Sequence, residues 1–476
     1  MSAALWTVKA MAEAMGAHVR GPVPQSVGGL SIDSRTLQPG DAFFAIKAER
    51  DGHDFVASAL AAKAGLAVVA QDKSEQFGKD APLLIVEDVL DGLRSLGRAA
   101  RSRMGAKEIG VTGSVGKTGT KEALKLVLSR QGATHASAAS YNNHWGVPLS
   151  LARCPADTRF AVFEMGMNHA GEIGPLSQMV RPDIAIITAI APVHLEYFKS
   201  LEGIADAKAE IFEGVVPGGA AVLNRDSEHF DRLAKKAAVA KLGVVSFGEH
   251  EKASARLIQC GLQPFGSTVH ASIFGTEMKY KLGSPGRHLV VNSLAVLSAA
   301  VLAGADLAIS ALALANLAPP AGRGTHIPLV LPGGAALLID ESYNANPVSM
   351  RAALALLGQA QIGPRGRRIA VLGDMLELGD QADALHGELA KPVVDNGIDL
   401  VFCCGPAMHA LWQALPSNRR GGYAVDSKGL ESQVIDAVRA GDAIMIKGSN
   451  GSKMAPIVRA LQRAYTRAPE GAAIQD

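Results

Sequence analysis

The sequence has few of the features that mark secreted, membrane-spanning or nucleic-acid-binding proteins. Among 476 residues it has 4 cysteines, without a CxxC spacing, and we interpret them as free thiols in a reducing cytoplasm. Its 47 basic and 45 acidic side chains leave a formal charge of +2. This balance gives no electrostatic attraction toward nucleic acid or a charged membrane surface. We therefore expect a cytoplasmic protein with neither kind of partner.

The sequence also lacks a long uninterrupted apolar run. Its most apolar stretch, Leu289–Leu317, is rich in alanine and is broken by polar residues and glycine, so it predicts two packed helices and not a membrane span. The amino-terminal segment has no basic start followed by an apolar block and a small-residue cleavage site. It therefore does not resemble a signal peptide.

The length and composition predict an ordinary globular chain of about three domains, at roughly 100–200 residues per domain. Hydrophobic residues make up 48% and charged residues 19% of the sequence, which is not the balance of a disordered chain. A plausible linker, Pro319–Gly324, separates the second and third units. The predicted domains are 1–106, 107–322 and 323–476.

Short apolar segments alternate with helical ones, which predicts the α/β class. Many of these segments are continuous apolar runs, as expected of strands buried on both faces of a parallel sheet. The predicted strands are Ala42–Ile46, Leu66–Val69 and Leu83–Val86 in the first unit, Glu108–Thr112, Phe160–Glu164, Asp183–Thr188 and Ala220–Asn224 in the second, and Ala336–Asp340, Arg368–Leu372, Leu400–Cys404 and Ala443–Ile446 in the third.

The strongest local signal is a glycine-rich loop between a strand and a helix. Glycines let backbone N–H groups turn toward a phosphate, and the helix amino terminus adds positive partial charge. Lys117 is placed to reach the outer phosphates and Thr118 to ligate Mg²⁺. Val111 stands where the common pattern has a glycine, so the loop is a shorter variant. The alternative is a tight turn with an incidental lysine. The predicted nucleotide-binding residues are Gly113, Ser114, Val115, Gly116, Lys117, Thr118 and Gly119.

Two further residues follow predicted strands of the same sheet. Glu164 closes the apolar run Phe160–Glu164, and His194 follows the run Asp183–Thr188 by a few residues. In open α/β sheets ligands bind at the carboxyl ends of the strands, where both residues would emerge. A carboxylate and an imidazole there are candidates for a second Mg²⁺ or its waters. Taken singly, each also fits a structural role, as a helix-cap partner or a loop histidine.

Lys208 interrupts the apolar face of a predicted helix, Gly203–Val216. The apolar positions on either side of it recur at helical spacing. A lysine in such a stripe must extend to solvent, pair with a carboxylate or be chemically modified. The pattern leaves these three outcomes open.

Together these motifs resemble the central domain of the Mur ligases, which build the peptide stem of peptidoglycan. The matching strings are T-G-S-V-G-K-T, E-M-G at 164–166, A-P-V-H at 191–194 and A-K-A-E at 207–210. The segment Ser31–Arg35 resembles the UDP-precursor-binding domain of the later ligases. The segments Asp340–Pro347 and Leu372–Gly379 resemble the Rossmann-like carboxyl-terminal domain of the dipeptide-adding member. The resemblance covers nearly the whole chain.

The resemblance implies an activity. We expect an ATP-dependent, Mg²⁺-requiring ligase that joins D-alanyl-D-alanine to UDP-N-acetylmuramoyl-tripeptide through an acyl phosphate. The products would be the UDP-pentapeptide, ADP and phosphate. Two Mg²⁺ sites and a monomeric chain are expected.

The resemblance also assigns roles to residues. Lys117, Glu164, His194, Lys208 and Arg323 would be catalytic, with Thr118, Glu164, His194 and a carbamylated Lys208 serving the metals. Asn292 would contact adenine, Arg323 the γ-phosphate, and either Asp340 or Glu341 the ribose. The implied substrate-binding residues are Ser34, Arg35, Asn142, Asn143, Tyr343, Asn344, Asn346, Lys447 and Ser449.

Two departures from the family pattern, and three rival functions, accompany this interpretation. Gly119 replaces a hydroxyl residue, and Asn450 replaces the arginine of K-G-S-R.

The first rival is the ligase that adds the third amino acid, which typically carries D-N-P-R, a string that this chain lacks. Folylpolyglutamate synthase shares the central domain but does not explain Ser31–Arg35. A non-catalytic nucleotide-gated protein would not need to retain the metal apparatus.

Overall fold

The computed structural model describes residues 4–138, 140–192, 196–198, 200–263 and 265–465. The first region places a mostly parallel sheet against helices. Its sheet has the order β2-β7-β6-β5-β4, with β2 antiparallel to β7, while β1 and β3 form a separate antiparallel pair. Its elements are β1 Trp6–Thr7, α1 Val8–Met15, β2 His18–Arg20, β3 Ser26–Val27, β4 Leu30–Ser31, β5 Ala42–Phe44, α2 Val56–Ala61, β6 Leu66–Ala70, β7 Leu83–Val86 and α3 Val89–Arg103.

The second region holds the largest sheet, in the order β16-β15-β14-β13-β12-β11-β8-β10-β9. Neighbours from β9 to β14 are parallel, and β15 is antiparallel to both β14 and β16. Its elements are β8 Lys107–Thr112, α4 Lys117–Ser129, β9 Thr134–Ala136, α5 Gly146–Ala152, β10 Phe160–Glu164, α6 Ile173–Val180, β11 Ile184–Ile187, α7 Leu201–Ala209, β12 Ala220–Asn224, α8 Phe230–Val239, β13 Gly243–Gly248, β14 Ala255–Gln263, β15 Gly266–Ile273, β16 Thr276–Leu282, α9 Arg287–Leu302 and α10 Leu307–Ala313.

The third region contains a sheet of order β17-β18-β22-β19-β20-β21, parallel except for the β17–β18 pair. Helices cover both of its faces, as in doubly wound α/β folds. Its elements are β17 Thr325–Leu331, β18 Gly334–Glu341, α11 Pro347–Gln359, β19 Arg368–Gly373, α12 Ala382–Gly387, α13 Ala390–Asp395, β20 Leu400–Cys404, α14 Met408–Ala414, β21 Arg420–Ala424, α15 Ser427–Ala437, β22 Ala443–Lys447 and α16 Ala455–Tyr465.

The parallel strands are buried on both faces, which confirms the α/β prediction. On β10, Phe160 and Val162 pack into the core that includes α4 and α9, while Ala161 and Phe163 pack into the core on the opposite face. Successive side chains point to opposite faces of a strand, so only a continuous apolar run satisfies both cores.

The predicted strands all occur, with small differences at their ends. Phe160–Glu164 and Ala220–Asn224 have the predicted bounds, whereas the strand predicted at Asp183–Thr188 is Ile184–Ile187. The apolar stretch after Leu289 folds as α9 and α10, and none of the described helices is long and apolar enough to cross a bilayer. Each large sheet draws its strands from one predicted domain, and the domain limits stay a prediction.

One helix differs from its predicted range. The helix expected over Gly203–Val216 is α7 over Leu201–Ala209, followed by a 3₁₀ turn over Glu210–Gly214. Ser200 caps α7, because its side chain accepts a hydrogen bond from the Gly203 amide at 3.2 Å. The apolar spacing indicated a helical face but did not distinguish an α-helix from the tighter turn that ends it.

Candidate active site

The glycine-rich loop joins the carboxyl end of β8 to the amino terminus of α4. Gly113 has φ +147° and Gly116 has φ +88°, conformations that favour glycine. A Cβ on Gly113 would lie 2.0 Å from Thr188 Oγ1, so any side chain is excluded there. Lys117 opens α4, whose first amide groups and helix dipole form an anion-binding terminus.

The loop is fixed by the chain that follows β11. Thr188 Oγ1 donates to Val115 O at 2.6 Å, and the Ser114 amide donates to Ala189 O at 2.8 Å. Ser114 Oγ donates to Ala191 O at 3.1 Å and accepts from the Ala191 amide at 3.0 Å. Sequence reasoning missed Thr188, although its place at the end of a buried strand beside the loop was the available signal.

Lys117 lies within the loop it is predicted to serve. Its Nζ donates to Gly113 O at 2.7 Å. Burial lowers its pKa, the nearby Glu164 carboxylate raises it, and the Arg323 guanidinium lowers it. Arg323 comes from the linker to the third region, so two cations from different regions lie close enough to repel. Such an arrangement suits a strongly anionic ligand.

Glu164 links three elements at the sheet edge. Thr118 Oγ1 donates to Glu164 Oε2 at 2.9 Å, and Asn142 Nδ2 donates to Glu164 Oε1 at 2.8 Å. Thr118 and Glu164 are buried. The structure therefore brings together two predicted metal-binding residues, and a hydroxyl and a carboxylate oxygen are ligands that Mg²⁺ prefers.

The predicted His194 lies outside the described residues. Within the described ranges no group of three or more His, Cys, Asp or Glu side chains is arranged so that it could hold a metal ion. Thr118 and Glu164 therefore provide only part of a coordination sphere. That agrees with the chemistry of Mg²⁺, which retains waters and takes phosphate oxygens in nucleotide sites.

Lys208 is buried on α7, with 2% of its surface exposed. Burial lowers its pKa well below the ordinary value, the Lys117 ammonium lowers it further, and Glu210 raises it. Of the three outcomes left open by the sequence, extension into solvent is excluded. A lysine near a second cation in such a site favours its neutral amine.

Glu210, the last residue of the A-K-A-E string, has a structural role. Its carboxylate accepts hydrogen bonds from the amides of Gly171, Ile173 and Gly174 at 2.7, 3.2 and 3.3 Å. These groups lie at the amino terminus of α6, where a carboxylate satisfies free N–H groups and the helix dipole. The string thus combines a buried amine with a helix cap.

Asn292 and His288 on α9 connect the loop with the third region. Asn292 Nδ2 lies 2.6 Å from the position that a Gly116 Cβ would occupy, so the Asn292 amide lies against the phosphate loop. Burial lowers the pKa of His288, Glu341 raises it and Lys447 lowers it. The first turn of α9 therefore faces the ends of β18 and β22. The adenine role of Asn292 stays a prediction.

Arg323 is held by the third region. Its guanidinium carbon lies 4.0 Å from the Tyr343 ring centroid, and the Tyr343 amide donates to Gly322 O at 3.1 Å. The Gly324 amide donates to Asp340 O at 2.8 Å. Both glycines have positive φ, +71° and +97°. The arginine is therefore attached on both sides to the end of β18.

The remaining residues of the third region form a connected cluster. Lys447 Nζ is buried and donates to Glu341 Oε2 at 3.0 Å and to Asn344 O at 2.9 Å. Ser449 Oγ accepts from the Leu376 amide at 2.9 Å. Asn346 caps α11, with its Oδ1 accepting from the Ser349 amide at 2.9 Å. These side chains shape the segment after β18.

Asp340 and Glu341 differ in their partners. Asp340 Oδ1 accepts from the Ser342 amide at 3.0 Å, whereas Glu341 pairs with Lys447. Each carboxylate has oxygen capacity beyond these bonds. Which of the two would hold the ribose stays open.

The candidate precursor-binding residues lie in two places. Arg35 forms hydrogen bonds of 2.9 and 2.7 Å to the Asp33 carboxylate and its side chain is 86% exposed, with Ser34 beside it in the turn after β4. Asn142 lies at the metal candidate Glu164, and Asn143 Oδ1 accepts from the Gly146 amide at 2.9 Å.

Comparison with known proteins decides the family. The chain matches the Mur ligase middle domain over residues 111–300, the Mur ligase glutamate ligase domain over 329–450 and the Mur ligase family catalytic domain over 26–101. The chain belongs to the Mur ligase family. The Mur ligase architecture of three α/β domains is therefore confirmed, as is the prediction of an ATP-dependent ligase.

The Mur ligase relatives align along almost their full length. The chain is 34% identical over 457 residues to the UDP-N-acetylmuramoyl-tripeptide–D-alanyl-D-alanine ligase of Rickettsia prowazekii, covering 95% of this chain and 99% of the relative. It is 34% identical to the ligase of that name from Escherichia coli, covering 92% and 94%. The crystal structure of MurF from Acinetobacter baumannii superposes with a TM-score of 0.82 at 28% identity, covering 96% and 99%.

Proposed function

We propose that this chain joins D-alanyl-D-alanine to UDP-N-acetylmuramoyl-tripeptide with ATP, giving the UDP-pentapeptide, ADP and phosphate in peptidoglycan synthesis. The relatives that align with nearly the whole chain are ligases named for these substrates, which supports the choice of substrates. The observation that carries the chemistry is the convergence at the phosphate loop. Glu164 on β10 raises the pKa of Lys117, and Arg323 from the third region lowers it. The Lys117 ammonium in turn lowers the pKa of Lys208 on α7.

Amide formation requires activation of a carboxylate. The γ-phosphoryl group of ATP passes to the terminal carboxylate of the tripeptide, and ADP leaves. The amine of the dipeptide then attacks the acyl phosphate, loses a proton, and phosphate departs from the tetrahedral intermediate. Lys117 and Arg323 neutralise the charge on the transferring group, and the amino terminus of α4 orients the phosphates.

Thr118 and Glu164 are the residues that fit Mg²⁺, since they present oxygen ligands beside the phosphate loop. The bound metal would supply charge neutralisation and orientation of the phosphates. His194 and Lys208 are proposed to complete two metal sites. For Lys208 we propose carbamylation: burial lowers the pKa of Lys208 and so favours the neutral amine, which adds to CO2 and releases a proton to give a buried carbamate anion.

Substrate placement follows the three regions. Ser34 and Arg35 would contact the uridine diphosphate, and Asn142 and Asn143 the peptide of the precursor. Asn292 would contact adenine, with Asp340 or Glu341 at the ribose. The segment proposed to bind the dipeptide comprises Tyr343, Asn344, Asn346, Lys447 and Ser449. We propose that the protein works as a cytoplasmic monomer.

Phosphate release by the purified protein tests the function. Release should require ATP, the UDP-tripeptide and D-Ala-D-Ala together, with the UDP-pentapeptide identified by mass spectrometry. Parallel reactions with diaminopimelate or lysine at the third position identify the preferred precursor. Release at full rate without the dipeptide would contradict the ligase, and incorporation of a single amino acid into a UDP-dipeptide would favour the preceding enzyme.

A further inference from the structure

Lys121 is a second fully buried lysine near the phosphate loop, with 0% of its side chain exposed. It lies on α4 one turn after Lys117. Its Nζ donates to Ser137 O at 2.7 Å and lies 2.9 Å from Glu122 Oε1. A buried ammonium is costly unless it is paired and hydrogen-bonded. These contacts place the amine between α4 and the end of β9.

Ser137 is the residue that directly follows β9, at the carboxyl edge of the sheet. Its amide donates to Val162 O on β10 at 3.1 Å, while its carbonyl accepts from Lys121. Both backbone groups of Ser137 are thus fixed. The carboxyl end of β9 is therefore tied to the phosphate-loop helix α4.

Asn142 is fixed at the same edge of the sheet, beside the end of β10. Its carbonyl accepts from the Gly166 amide at 2.8 Å, and its side chain donates to Glu164 Oε1 at 2.8 Å. A Cβ on Gly166 would lie 2.9 Å from Asn142 Cγ, so glycine is needed for this approach. The same carboxylate accepts from Thr118 on α4.

We propose that Lys121 is a positioning residue: by anchoring Ser137 to α4 it fixes the carboxyl end of β9, five residues before Asn142 in the sequence, and so supports the orientation in which Asn142 holds the Glu164 carboxylate for Mg²⁺. The inference rests on the proposed function for the roles of Glu164 and Asn142. Lys121 contacts neither nucleotide nor precursor in this scheme. It acts through the backbone of Ser137, as residues behind a metal ligand orient that ligand.

The substitution Lys121→Met tests the proposal, because it keeps the apolar stem and removes the donor. Loss of a residue that orients a metal ligand typically costs about 10–100-fold in metal affinity or activity. We expect the Mg²⁺ concentration for half-maximal activity and the KM for the UDP-tripeptide to rise about tenfold or more. Lys125→Met is the matched control, since Lys125 lies one turn later on α4 and is exposed. The control should leave both constants unchanged.

A double-mutant cycle separates positioning from general stabilisation. Asn142→Ala should raise the same two constants. In the Lys121→Met/Asn142→Ala double variant, neither constant should exceed the higher value found in the two single variants, because the two changes break one connection. Additive losses would overturn the proposal, as would a Lys121→Met enzyme with wild-type Mg²⁺ and precursor dependence. If Lys121→Met does not fold, Lys121→Leu, which also lacks the donor, carries the same measurements, with the same outcomes supporting or overturning the idea.

Binding of ADP as a function of Mg²⁺, measured by calorimetry without the other substrates, separates a failure of the proposed function from a failure of the positioning role. A wild-type chain that binds Mg²⁺ and ADP but shows no dipeptide-dependent phosphate release would contradict the proposed function. In that case, a higher Mg²⁺ concentration needed for half-maximal ADP binding in Lys121→Met would still support the positioning role. Unchanged dependence in an active ligase would overturn the positioning role alone.

Discussion

The guanidinium of Arg323 lies over the ring of Tyr343, 4.0 Å from its centroid. The arginine is proposed to meet the γ-phosphate, and the tyrosine belongs to the segment proposed to bind the dipeptide. A backbone hydrogen bond from Tyr343 to Gly322 reinforces the stack. This contact therefore links the arginine proposed to act in phosphoryl transfer to the segment proposed to bind the dipeptide that attacks the acyl phosphate.

Replacing Tyr343 by leucine should lower kcat/KM for the ligase reaction. A cation–π contact contributes about 0.5–2 kcal/mol, which corresponds to roughly 2–30-fold in rate. Steady-state phosphate release with each substrate varied measures the loss. Tyr343→Phe keeps the ring and should lose less than Tyr343→Leu. Equal losses in the two variants would mean that the hydroxyl, and not the stack, matters.

Lys208→Ala should lose most of its activity and regain part of it with added short carboxylic acids. The acid would restore an anion where the carbamate is proposed, and loss of a metal-supporting group costs about 10–100-fold. Lys208→Arg, which keeps a cation and cannot form the carbamate, should not be rescued. Full activity of unsupplemented Lys208→Ala would refute carbamylation. Activity is measured as phosphate release over a range of acid concentrations.

Two glycines near the loop should respond in opposite ways to alanine. Gly113→Ala places a Cβ 2.0 Å from Thr188 Oγ1 at φ +147°, so it should abolish ATP binding or folding. Gly119→Ala lies inside α4, where the nearest atom to the new Cβ is Leu289 Cδ2 at 3.9 Å. It should raise stability by about 0.5–1 kcal/mol through helix propensity. Thermal unfolding and ADP binding measure both effects; a destabilised Gly119→Ala would contradict the prediction.

Glu108 should make the protein less stable as pH rises. Burial raises its pKa to about 9, while Arg101, whose Nε lies 2.9 Å from Glu108 Oε2, lowers it. Since the folded pKa exceeds the unfolded value near 4.5, the unfolded chain ionises first and stability falls between pH 4.5 and 9. Glu108→Gln removes this ionisation.

The thermal midpoint of Glu108→Gln should therefore exceed that of the wild type by more at pH 8 than at pH 5. Glu228→Gln, at an exposed position between β12 and α8, is a control for general charge removal. A midpoint lower than the wild type at pH 8 would show that the ionised pair with Arg101 prevails over burial.

The sequence predicted most of the parallel strands because continuous apolar runs such as Phe160–Glu164 satisfy two cores at once, but it missed the parallel strands β4, β9, β13 and β21. It did not predict the antiparallel strands β14–β16. Along Ala255–Gln263 the burial is irregular and largely exposed beyond Leu257, so no apolar run marks the strand. Their pairing depends on contacts between neighbouring strands that hydropathy does not encode.

The site was predictable where residues follow strands of one sheet. Thr118 and Glu164 were expected at the same edge, and they meet at 2.9 Å. The ties made by Lys121 and Thr188 were not predicted, because each depends on elements that approach only in the folded sheet. A buried lysine and a buried threonine carry no sequence pattern that identifies the carbonyl they will contact.

Lys117 donates to Gly113 O within its own loop. A lysine ammonium has three N–H donors, so this bond sets the position of Nζ and leaves two donors for the outer phosphates of a nucleotide. Under the proposed role of Lys117, ADP and ATP would reach that ammonium, whereas a nucleoside monophosphate would end before the outer-phosphate position. The loop would therefore favour adenine nucleotides with longer phosphate chains.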